Sequence, residues 1–182
     1  MAIAVRIAPY GKFRKLISDM NRLDEILLGD KTQNAMERLA HATKDFIVDG
    51  IEKTRPSWKE LNEITKTIKG NDQILIDSGS FVDAMKVWKS GARWYAGLPD
   101  GAKGDKGQDL GIVGEVHENG AHVPVSDEMR KFFAANGFPL RDGTKFVRIP
   151  ERPWFAPARE ELNEYADEVL NPLVDSLLEE IG

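Results

Sequence analysis

The sequence has no cysteine in its 182 residues. That absence excludes disulfides, Cys-ligated zinc, iron–sulfur clusters and thiol catalysis. It leaves the redox compartment open, though it fits a cytosolic origin. No apolar run approaches the roughly 20 residues that a membrane-spanning helix needs, so no membrane is expected among the partners. The opening Met1-Ala-Ile-Ala-Val-Arg lacks a basic stretch followed by a long apolar one, and no signal peptide is read there. What is present is 41% hydrophobic and 30% charged residues, a balance that suits a single soluble domain over 1–182, or a compact domain with a helical arm.

The net charge of −5 is unevenly placed. From Phe155 to Gly182 there are eight acids and one base, Arg159, so that segment is −7 and the remainder is about +2. The first sixteen residues hold Arg6, Lys12, Arg14 and Lys15 and no acid. The acidic segment reads either as a solvated helix face or as a surface that repels nucleic acid or docks on a basic partner. General nucleic-acid binding is disfavoured, because it calls for a concentrated basic stripe.

Periodicity divides the chain into three regions. Over 12–55 two helices are predicted. Phe13, Leu16, Ile17, Met20, Leu23 and Leu27 share one face of the first, and Gly29 stops it. The second begins at Asp30 and runs to Arg55-Pro56. The α+β core is placed at 57–155. It opens with a helix capped by Ser57, with Glu60 completing a capping box and Trp58, Leu61, Ile64 and Ile68 on one side. Asp77-Ser78-Gly79-Ser80 caps one helical turn. Val87-Trp88 and Trp94-Tyr95-Ala96 flank a hairpin turn at Ser90-Gly91. Residues 99–109, with Gly101, Gly104 and Gly107, read as a mobile loop at a hairpin tip. Leu110 to Val116 alternates like a strand, Ser126 caps a helix ended by Asn136-Gly137, and Phe146–Ile149 is a further strand. The acidic helix at 156–182 carries Pro172 in its interior, where a kink or a split is expected.

A search for chemistry finds no convincing site. Glu115, His117, Glu118 and His122 do not have helical zinc spacing. Ser78 and Ser80 lack the Gly-x-Ser-x-Gly context of a nucleophile and are explained by helix capping. The glycines at 101–107 are not followed by Gly-Lys-Ser/Thr, and Asp100, Asp105 and Asp109 do not fit an EF-hand loop. No catalytic residue, cofactor or metal is therefore expected. The aromatic residues remain. Trp154-Phe155, held extended by Pro150, Pro153 and Pro157, suits an anchor to a neighbouring element or subunit.

Four blocks then stand in a fixed order. They are WKELNEITKTIKG from Trp58, ILIDSGSFVDAMKVW from Ile74, EVHENGAHVPV from Glu115 and VRIPERPWFAPA from Val147. The ordered set resembles the virion-morphogenesis and tail-completion proteins of tailed phages, a family that includes the HK97 gp10-like head–tail joining (neck) proteins. Asp77-Ser78-Gly79, His117-Glu118-Asn119-Gly120 and Ile149-Pro150-Glu151-Arg152-Pro153-Trp154 match the pattern of that family. Asn119 stands where the family often carries an aromatic.

The resemblance implies an α+β fold, with a twisted antiparallel sheet flanked by helices. It implies a homo-oligomeric ring, hexameric as the first expectation and dodecameric as the second, and no catalysis. Its neighbours would be the connector or portal and the tail-tube or tail-terminator proteins. DNA would pass through without sequence-specific contact. The protein would be made in the host cytoplasm and sit in the virion. Trp94, Lys103 and Lys106, at or near the loop, and Arg152, Trp154 and Phe155 in the Pro-bracketed segment are the expected subunit contacts. Two alternatives are a soluble assembly adaptor or chaperone absent from the finished particle, and a hydrolase built on His117 and nearby acids.

Overall fold

A computed structural model describes residues 29–181. The helix expected at 12–28 lies outside the described residues. The first described helix, α1 (Asp30–Glu52), buries Ala35, Ala40, Thr43, Ile47 and Ile51, one apolar stripe at helical spacing. The last, α6 (Phe155–Ile181), packs along it. Lys31 bonds Ser176 at one end of the pair, and Arg55 pairs with Glu161 at the other, so the two helices run antiparallel. Phe46 meets Tyr165 edge-on between them. Pro172 is accommodated within α6 as one continuous helix. Its missing N–H removes one backbone bond without splitting the element.

Between α1 and α6 the chain builds the α+β class expected. It forms α2 (Glu63–Lys69), α3 (Ser80–Asp83), β1 (Lys86–Ser90), β2 (Arg93–Gly97), α4 (Leu110–Asn119), β3 (Ala121–Pro124), α5 (Asp127–Ala135) and β4 (Phe146–Ile149). The strands form two separate two-stranded antiparallel ladders, β1–β2 and β3–β4. Trp88 pairs with Tyr95 across the first, with the rings stacked at 5.4 Å. Ala121 pairs with Ile149 in the second.

The span 110–116, expected as a strand, is the first part of α4. Leu-Gly-Ile-Val-Gly-Glu-Val satisfies either period. The side chain of Asp109 decides the matter by accepting from the N–H groups of Gly111 and Ile112, an N-cap that starts a helix. Its inward face is then Leu110, Val113, Gly114 and His117. In chain order α4 stands between the two ladders, which remain separate sheets rather than the single twisted sheet expected.

Three other expectations are corrected. The short α3 has Gly79 at its N-cap, with no side-chain cap, and Ser78 Oγ instead bonds Ser80 Oγ at 3.1 Å. Ser57 lies in a turn, and the helix begins at Glu63, where Asn62 accepts from Thr65 N at 2.7 Å. Trp58 and Leu61 precede that helix and enter the core directly. Residues 99–109 do not tip a hairpin but join β2 to α4. They are cross-tied by Gly104 N to Gln108 O (2.9 Å) and Leu110 N to Ala102 O (3.0 Å). The core itself gathers Ile47, Ile51, Trp58, Leu61, Ile74, Phe81, Met85, Leu110 and Ala158.

Candidate functional site

The second, third and fourth sequence blocks meet at the start of α6, and the first is bonded to them from one side. The carboxylate of Glu118, near the end of α4, accepts three backbone N–H groups. Those of Trp154 and Phe155 reach Oε2 at 2.8 and 2.9 Å, and that of Ala156 reaches Oε1 at 2.9 Å. The next residue, Pro157, has no N–H to satisfy. One side chain from 37 residues upstream thus closes the N-terminus of a 27-residue helix, where the helix dipole also favours negative charge. Glu118→Gln leaves at least one of these donors facing an amide NH2. It is expected to lower stability by about 2 kcal/mol in urea unfolding. An unchanged midpoint would show that the clamp contributes nothing.

Around this clamp the blocks bind one another. Trp58 Nε1 donates to Pro153 O at 2.9 Å, and Trp154 Nε1 donates to Gly114 O at 2.9 Å. Phe81 meets the Trp154 ring edge-on at 5.4 Å. Gly114 lets the ring approach closely, because a Cβ there would stand 3.0 Å from Trp154 Cζ2 and push it outward. Gly120 has φ +69°, and a Cβ on it would stand 2.9 Å from Glu151 Cγ, so the approach of the Pro-bracketed segment to α4 requires it. Arg152 N donates to His117 O at 2.7 Å across that approach.

The Arg152 side chain is 5% exposed. Its Nε donates to Lys59 O at 3.0 Å, and its Nη2 reaches Glu60 O at 3.5 Å. Among the described residues no carboxylate pairs with it. Burial pushes its guanidinium below the ordinary arginine value, with no opposing acid. Buried charge normally has a partner, so this is a cation held by carbonyl dipoles alone.

Arg152 opens onto a groove of about 700 Å³ lined by α2, α4, α5 and β4. Leu61, Ile64, Leu75, Phe133, Val147 and Ile149 supply apolar walls. The charged groups on it are Lys59, Lys69, Arg148 and Arg152 against Glu60 and Asp77, so cations prevail. His117 also faces it. Its Nδ1 is buried without a hydrogen-bond partner. Its pKa is pushed down to about 4, first by burial and then by the charges of Arg152 and Lys69. Leu75 is in the left-handed region at φ 62°, a strained conformation for a leucine, on the wall of the same groove.

The six residues expected at subunit contacts are dispersed. Arg152 and Trp154 are packed within their own chain, while Phe155 is 40% exposed beside Trp154. Trp94 lies on β2 with Lys89 Nζ over its ring at 5.4 Å. Lys103 pairs with Asp109 at 2.8 Å, and Lys106 with Asp77 at 3.2 Å, so both lysines brace the loop and its surroundings. Among the described residues no three His, Asp or Glu side chains are grouped to hold a metal ion, and Glu118 is committed to the α6 clamp. Lys59, Lys69 and Arg148 were not singled out from the sequence, because no local pattern links positions so far apart. Comparison with family models, with curated proteins and with solved structures finds no match to this chain.

Proposed function

We propose that this chain is a structural neck or tail-completion protein of a tailed phage. In this reading it forms a homo-oligomeric ring that joins the capsid connector or portal to the tail, and DNA passes through it without sequence-specific binding. The observation that carries the reading is the ordered set of four blocks and their convergence. Asp77-Ser78-Gly79 precedes α3, whose Phe81 packs on Trp154, and Glu118 of the third block clamps the Pro-Trp-Phe of the fourth. Residues that match as separate motifs are thus parts of one joint, which suits a rigid ring subunit. The work of such a part is done by surfaces, and its acidic α6 keeps DNA from sticking if it faces the channel.

Sedimentation of the purified chain is expected to give six or, second, twelve times its 20.4 kDa mass. Deleting the gene from a phage that carries it is expected to leave heads and tails unjoined. Joined particles after deletion would overturn the reading. Unjoined particles, with the protein absent from purified wild-type virions by mass spectrometry, would replace the ring with an assembly adaptor.

A further inference from the structure

We propose that the cationic groove receives the C-terminal end of α6 from a second copy of this chain, in a head-to-tail contact. The inference rests on the self-assembly reading above and specifies the surfaces.

Three observations carry it. The groove is apolar in its walls, positive in balance, and holds a buried arginine without a carboxylate. Its ligand therefore has to bring both apolar side chains and acid. The end of α6 offers that pair of properties. Val174 and Leu178, one turn apart, are 50% and 60% exposed, and Asp175 and Glu179 stand beside them, also exposed. At least half of Val174 and of Leu178 stays open to solvent. The third observation is distance. Phe155 begins α6 three residues after Arg152, and from there to Leu178 the helix rises about 35 Å. A continuous helix packed along α1 cannot return its own tip to the groove at its root. The tip can fill only the groove of another copy, and a contact between two different patches propagates, closing into a ring when the rotation allows.

The electrostatics add direction. Acid from the incoming helix would give Arg152 the counter-charge it lacks in the isolated subunit. The oriented approach of an acidic tip to a basic groove weakens as salt rises.

The test uses full-length chains and two pairs of exposed charges. Lys59 and Arg148 make no side-chain bond to the described residues, so Lys59→Glu with Arg148→Glu reverses the groove without opening the core. Asp175→Lys with Glu179→Lys reverses the tip. Each double variant alone is expected to associate at least about ten-fold more weakly than the wild type by sedimentation. An equimolar mixture of the two regains the wild-type mass, because every tip then meets a groove of opposite sign. One chain carrying all four reversals regains it as well.

Wild-type mass in both double variants would overturn the contact while leaving the ring reading intact. A wild type that stays at 20.4 kDa would overturn both. The hydrophobic stripe has its own check in Val174→Asp with Leu178→Asp. Loss of assembly with an unchanged melting temperature supports the contact. A lowered melting temperature with unchanged mass would mean that the stripe is packed within its own subunit, and would overturn it.

Discussion

Trp154→Ala is expected to lower the unfolding free energy by about 3–4 kcal/mol. Phe155→Ala, one residue on, is expected to change it by less than about 1 kcal/mol. The two rings were read together from the sequence, as a pair held stiff by proline. Their surroundings separate them. Trp154 packs against the core cluster, sets its edge against Phe81 at 5.4 Å, and donates from Nε1 to Gly114 O. Truncation would leave a cavity at the root of α6 and remove the indole bond that ties it to α4. Phe155 is 40% exposed, with its ring 5.8 Å from that of Trp154. Urea unfolding of the two single variants measures the difference directly. Equal losses would mean that Phe155 is buried more deeply than the subunit shows. A Trp154→Ala variant that unfolds like the wild type would mean that the joint at α6 does not stabilise the fold.

A second large effect is expected from pH. The imidazole of His117 titrates near 4 when folded and near 6.5 in an unfolded chain. Between those values the unfolded state holds one proton more than the native state, so stability rises with pH across that window. The contribution is complete above 6.5 and is lost progressively as pH falls towards 4. The drop from pH 7 to pH 5 amounts to about 2 kcal/mol. His117→Gln removes the proton and is expected to flatten this part of the profile. The comparison belongs above pH 5, where most carboxylates stay charged. A variant whose stability falls as steeply as the wild type between pH 7 and pH 5 would show that His117 is hydrated in the native state.

How much of this could be read from the sequence differed by element, and for physical reasons. α1, α5, the β1–β2 hairpin, β4 and α6 were legible, because each has one dominant period and a local stop or cap. Ser126, for example, accepts from Met129 N at 3.2 Å, as its position before an apolar face suggests. α4 was misread because two glycines in seven residues leave too few side chains to distinguish a period of two from one of 3.6. Gly114, which weakened the helix signal, is there to admit the Trp154 ring. Ser57 was misread because a serine and a glutamate three apart describe a cap only if helix follows, and there Trp58 and Leu61 turn into the core instead.

The groove was not legible at all. It joins residues 59–69, 75–77, 113–117, 133–140 and 147–152. No local rule connects an arginine at 152 with carbonyls at 59 and 60. Nor does a sequence show that a cation is unpaired, since that depends on every carboxylate elsewhere in the chain. Glu118 was noticed as a metal candidate because of its neighbouring histidine, and its actual partners are backbone donors 36 to 38 residues away.

The Glu118 clamp also has leverage. It fixes the direction in which a long helix leaves the body, and the far end of that helix is about 35 Å away. A tilt of about 5° at the clamp moves Leu178 sideways by about 3 Å, close to the width of a side-chain contact. Aim at the tip is therefore shared between the clamp at the root and the packing of α6 on α1. A substitution beside Glu118 can misalign the end of α6 without altering a single residue there.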